Sequence, residues 1–169
     1  MTAPEILNEI AGYWCNVNVP CEKTTVSGGL AGSDLAELWQ FVGMPAQDWW
    51  GFSFEYPVDP GPEQTDVVLG SFGDWRLFWR LTDGSCFEMN MQGTKNFANS
   101  SVGAFAQMLT LWDSAYRRIQ KECPGDSGDD WAHGDTIVSE MKKAMRQVDP
   151  QAFASEKSFW PSLIFELAE

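Results

Sequence analysis

The chain has 169 residues, 44% hydrophobic and 21% charged, which excludes a disordered polymer and predicts one folded domain over 1–169. It carries 24 acidic residues against 11 basic ones, a formal net charge of −13. Such a field repels phosphate backbones and anionic membrane surfaces, so no direct nucleic-acid or membrane binding is expected, and a basic protein partner is attracted instead. Acidity also serves plain solubility, so charge alone does not select that partner.

From the N-terminus, Ile6 and Ile10 lie one helical turn apart, and Gly12 is placed to stop a short helix begun near Pro4. Tyr13 to Val19 reads as strand or irregular chain, and Thr24 to Gly32 as a glycine-rich loop. Ser33-Asp34 caps a second helix with Leu35, Leu38, Trp39 and Val42 on one face. Gly43 closes it and Met44-Pro45 forbids continuation. After the pair Trp49-Trp50, the alternation of Gly51 to Tyr56 predicts a strand, and Asp59-Pro60-Gly61-Pro62 a loop.

The centre of the chain is a predicted antiparallel meander. Asp66 to Gly70 is a short apolar run. In the next run Trp75, Leu77, Trp79 and Leu81 form an apolar face that alternates with Arg76, Phe78 and Arg80. Thr82-Asp83-Gly84-Ser85 supplies a hairpin turn. In Cys86 to Met91 the alternation assigns Phe87, Met89 and Met91 to the buried side. Asn99-Ser100-Ser101 then caps a helix whose apolar stripe runs Val102, Phe105, Ala106, Leu109, Trp112, Tyr116 and Ile119, suited to covering the sheet. Pro124 to Asp130 reads as an acidic, glycine-rich loop. It lacks the ligand order of a calcium-binding loop. Asp135-Thr136 is placed to cap a further helix, broken by Asp149-Pro150, and the aromatic tail Phe153 to Leu167 is expected to pack back on the fold.

Four cysteines without a C-x-x-C pair and the single His133 are too sparse for a zinc centre, so no metal or cofactor is expected. Cys15 and Cys21 are read as reduced thiols. Met1 to Glu5 opens no signal peptide, so a cytoplasmic location is expected. The sequence has no G-x-S-x-G elbow, no G-x-x-x-x-G-K-[ST] loop and no G-x-G-x-x-G after a strand. Arg76 and Arg80, two apart on one strand face, are read as partners for some of the many acids.

The order of several motifs resembles the SUKH-4 immunity proteins, a branch of the SMI1/KNR4 (SUKH) superfamily. The resemblance is carried by Leu38 to Pro45 before an aromatic strand, by Val67-Val68-Leu69-Gly70, by the hairpin at Thr82 to Ser85, and most by Phe97 to Phe105. It covers Leu35 to Trp112. Tyr13 to Gly32 and Pro124 to Asp130 have no counterpart. The resemblance implies an α+β fold, a mainly antiparallel sheet flanked by helices in one SMI1/KNR4-like domain. It implies a bacterial immunity protein that neutralises a toxin, a nuclease or nucleic-acid deaminase, by blocking its active site or substrate groove, with no catalytic residues of its own. Acidity fits a basic nuclease groove independently. The expected contact surface is acidic and aromatic: Asp126, Asp129, Asp130 and Trp131, with Trp49 and Trp50. Against this, one of two adjacent tryptophans in an extended segment faces the core, and Trp131 has an alternative use in anchoring its loop. Two other readings remain: a regulatory or scaffolding module of the same fold, and a small hydrolase built on paired carboxylates.

Overall fold

Ser33 begins the fold's central motif as expected: its hydroxyl accepts from the Ala36 amide at 3.1 Å and caps α2, Asp34–Glu37. The structure, a computed structural model, describes residues 3–26, 28–46, 50–57, 64–125 and 128–166. Before α2 come α1, Ala3–Asn16, and the two-residue strand β1, Cys21–Glu22. Gly12 does not end α1. Ile10 and Trp14 are both buried, and packing of α1 against the long helix Val102–Glu122 outweighs one glycine's modest cost in a helix. Tyr13 therefore stands on a helix rather than a strand.

After α2 the chain widens into a π-helical turn, Leu38–Val42, and stops at Gly43, whose φ is +78°. A Cβ at Gly43 would also lie 2.5 Å from the Glu22 carbonyl oxygen, so two independent constraints demand glycine there. β2, Met44–Pro45, pairs with β1. The main sheet has five antiparallel strands in chain order: β3, Phe52–Phe54; β4, Asp66–Phe72; β5, Trp75–Arg80; β6, Cys86–Met89; and β7, Lys95–Asn99. It is a meander, as the alternation predicted. The helices α3, Val102–Glu122, and α4, Gly128–Val148, follow, then a 3-10 turn at Pro150–Phe153 and α5, Phe159–Glu166. The fold is α+β.

One face of the sheet makes the core. Phe52 is ringed by Phe105 of α3 and by Phe159 and Trp160 of α5, and Phe72 and Trp75 also meet Phe159. The aromatic tail packs back through Phe159 and Trp160, the latter fully buried, while the Phe165 side chain and Leu167 lie outside the described residues. Register corrects the assignment for β6. Trp79 stands opposite Cys86 and Leu77 opposite Glu88, so Cys86 and Glu88 share the core side, while Phe87 and Met89 face outward opposite Phe78 and Arg76. Met91 and Leu81 fall beyond their strands and are exposed. The outward Phe87 is still buried. It stacks on Phe78, with ring centroids 5.3 Å apart, and is roofed by Arg80 and Lys95, each 4.7 Å from the ring centre.

Glu88 is the exception on the core side. Asn96 donates to one of its oxygens, and the other has no hydrogen-bond partner among the described residues. Burial pushes its carboxyl above the ordinary carboxylate range. The folded state therefore keeps the proton to a higher pH than the unfolded chain, and Glu88's contribution to stability, full in acid, is lost as pH rises. Glu88→Gln keeps an acceptor for Asn96 and removes the charge. It is expected to unfold at higher urea than the parent at pH 7, by about 1 kcal/mol, with the gap closing below about pH 4. Equal midpoints at pH 7 would show that the unpaired oxygen costs nothing.

Two other buried carboxylates are fully committed. Asp149, just before the 3-10 turn, accepts from the Ser100 amide and hydroxyl at 2.6 and 3.0 Å, from Asn99 Nδ2 at 3.2 Å and from the Gln151 amide at 3.2 Å. Asn99 Oδ1 takes the Trp160 indole N–H at 2.8 Å. Of the Asn99-Ser100-Ser101 run, Ser101 alone caps α3, and the first two residues bind Asp149. On α3, Asp113 accepts from Tyr13 Oη, Trp50 Nε1 and Arg117 Nε at 2.6, 2.7 and 2.7 Å.

Candidate functional site

The two long helices form an antiparallel pair, α3 running out along the core and α4 returning beside it. α4 begins at Gly128, seven residues before the Asp135-Thr136 cap expected from sequence. Asp129 and Asp130 then occupy the first turn, where the helix dipole favours negative charge and where an isolated reading of acids and glycines sees only loop. His133 is correspondingly on a helix rather than in a loop.

Where the helices meet near this end, four side chains clasp. Arg118 Nη1 is 2.8 Å from Glu140 Oε2, and its Nε is 3.5 Å from Glu122 Oε1. Glu122 Oε2 lies 2.8 Å from His133 Nε2. The His133 hydrogen bond, aided by Arg118, holds the Glu122 carboxyl below its usual range, and the bond to Glu140 raises the Arg118 guanidinium. Next to the clasp lies a groove of about 150 Å³, with Leu111, Ala115, Ile137, Met141 and Ala144 along it. The Arg118–Glu122 pair was visible in sequence as an i,i+4 pair; the links across to α4 were not.

Trp131 does not anchor a loop. It sits in the second turn of the helix with 62% of its surface exposed, more than any other tryptophan described. Helical spacing turns it about 200° away from His133, so it stands on a different side of α4 from the clasp. Asp130 is half-buried, and a Cβ at Gly125 would lie 2.9 Å from its Oδ2, so its carboxylate folds back over the turn between the helices. Trp50 stands apart from both. Its backbone has φ +51°, its indole donates to Asp113, and its ring lies 4.7 Å from that of Tyr116, which ties it to the middle of α3. Asp126 and Trp49 lie outside the described residues, as does the side chain of Asp129.

A second exposed aromatic place was missed by sequence reasoning. Phe41, in the π-helical turn, is 61% exposed, and Tyr56 is 50% exposed where its hydroxyl bonds Glu22. Beside Phe41 opens a hollow of about 360 Å³ lined by Lys23, Thr24, Thr25 and Gln40. The signal in sequence was the helical spacing, which sets Phe41 about 100° from Val42 and off the face of Leu35, Leu38, Trp39 and Val42. Among the described residues no three His, Cys, Asp or Glu side chains gather as a metal site, and no helix is long and apolar enough to cross a membrane.

A family model described as SUKH-4 immunity protein matches residues 35–166, from α2 through α5. No curated protein and no solved structure matches the chain. The match runs well past Trp112, where the motif resemblance ended, and takes in the acidic turn and all of α4. It leaves out α1 and β1.

Proposed function

The chain belongs to the SUKH-4 immunity protein family, which implies a toxin-immunity role and a cognate toxin as partner. From that premise we propose a non-catalytic inhibitor, acting in the cytoplasm as one domain, that binds a basic toxin and blocks its active site or substrate groove. The toxin is a nuclease or nucleic-acid deaminase. The net charge of −13 carries this reading: enzymes that act on nucleic acid present basic grooves, and an acidic inhibitor is steered into them faster. The proposed contact is the start of α4, with Trp131 as the aromatic anchor and Asp126, Asp129 and Asp130 as the charges around it. An exposed tryptophan beside carboxylates is the composition of a binding hot spot. Trp49 and Trp50 are kept in the proposed contact, with the Trp50 indole already committed to Asp113 on α3.

The test is capture of the product of the adjacent toxin gene at low and at high salt. A one-to-one complex weakened by salt is expected, and no binding at either salt would remove the reading. Within a complex, Trp131→Ala is expected to raise the dissociation constant about 30-fold or more, which corresponds to a loss of about 2 kcal/mol. Reversing Asp126, Asp129 and Asp130 to lysine is expected to slow association most. Unchanged affinity in both variants would place the contact elsewhere.

A further inference from the structure

The outward face of the sheet has an unusual make-up for this chain. Among the described residues, Phe52, Phe72 and Trp75 make the ring contacts between the main sheet and the helices, on the opposite, core face. The outward face presents Val68, Phe78 and Met89, all half-buried, around the roofed Phe87. Its cations are all paired: Arg76 with Glu55 at 3.5 Å, Arg80 with Asp66 and Asp83 at 3.4 and 3.9 Å, and Lys95 with Asp66 at 3.1 Å. Three of the 11 basic residues thus stand against three of the 24 acidic ones, so these ion pairs add no net charge to the face, and among the described residues Asp74 in the β4–β5 turn is the added acid at its rim.

We infer that this face is the contact between two copies of the chain. Two copies, each charged −13, repel one another overall, and that repulsion is least where a face whose cations and acids are paired meets its copy. Aromatic, methionine and arginine side chains are those enriched at interface centres. Two such sheets stack about 10 Å apart when their outward side chains interdigitate. In a two-fold pair, Arg76 and Glu55, each about half exposed, lie at a rim where they can exchange partners between copies without adding net charge. The face is separate from the start of α4, so each protomer keeps its proposed toxin contact. The inference does not depend on the toxin reading.

Sedimentation of the isolated chain tests it. A species of twice 18.9 kDa is expected, whose dissociation constant tightens as salt screens the acidic remainder. Phe78→Asp is expected to yield the 18.9 kDa monomer. In case that variant fails to fold, Arg76→Glu changes only a half-exposed rim residue. It faces like charges across the two-fold axis, and is expected to weaken the pair about ten-fold or more. A wild-type chain that sediments as a monomer at every concentration and salt would overturn the inference. So would a dimer indifferent to both substitutions. A monomer that loses toxin binding on Arg76→Glu would assign the face to the toxin instead, and would overturn it equally.

Discussion

Asp149→Ala is expected to lower the free energy of unfolding by about 3–4 kcal/mol, a fall in melting temperature of roughly 10 °C for a chain of this size. Asp149 is 2% exposed and accepts four hydrogen bonds, two of them from Ser100 at the entry to α3 and one from Asn99 on β7. Alanine leaves the buried Asn99 amide without this acceptor and releases the donors of the exposed residues Ser100 and Gln151 that fix the entries to α3 and the 3-10 turn, and the desolvation cost of an unpaired buried donor exceeds the modest net gain of the bond that satisfied it. The loss spreads, because Asn99 also holds the Trp160 indole, so the seat of α5 loosens with the same change. Asp149→Asn keeps one acceptor oxygen and should fall between the two. Urea unfolding of the three proteins measures this. An alanine variant as stable as the parent would mean that the junction is held by apolar packing alone.

The second large effect is expected at Asp113. Asp113→Ala removes the acceptor for Tyr13, Trp50 and Arg117 together, and should cost about 3 kcal/mol. It also has a signature that a mere packing defect lacks. Burial, and then the hydrogen bond to Asp113 and its charge, raise the Tyr13 hydroxyl above the usual phenol range. The unfolded tyrosine ionises near pH 10 while the folded one keeps its proton, so this contribution is full below pH 10 and is lost as pH rises beyond it. Burial raises Tyr116 with the same sign and pushes the Cys21 thiol up to about 11, so part of the alkaline loss belongs to them. Tyr13→Phe and Asp113→Ala should each flatten the fall in stability above about pH 10. Trp50 emission should shift to the red in the Asp113 variant, since its indole then seeks water. An alkaline limb unchanged in both variants would detach Tyr13 from the carboxylate.

Local chemistry wrote much of this fold into the sequence. Ser33 and Ser101 cap their helices because a hydroxyl two or three residues ahead of an orphan amide satisfies it wherever the helix lies. Gly43 and the turn at Asp83-Gly84 need positive φ, a requirement legible in single residues. The period-two run from Trp75 to Arg80 and the three-and-four stripe of α3 report one buried face each. Composition settled the sign of the charge, and motif order gave the family, since both are properties of the chain before it folds.

What only the tertiary structure decided concerns partners distant along the chain. The parity of β6 could not be read, because Cys86 and Glu88 look less apolar than Phe87 and Met89, and only pairing with Leu77 and Trp79 fixes which side is inward. α1 passes through Gly12 because α3 is there to bury Ile10 and Trp14, and α4 starts early because its acids meet a helix dipole rather than a loop. Asp113 and Asp149 reach donors 100 and 49 residues away, so nothing near them in sequence marks them as junctions rather than surface charges. The same holds for the sites. Trp131 and Trp50 are the same residue type beside similar neighbours, yet one is left in solvent and the other bonded to Asp113, a difference set by what stands opposite each in space.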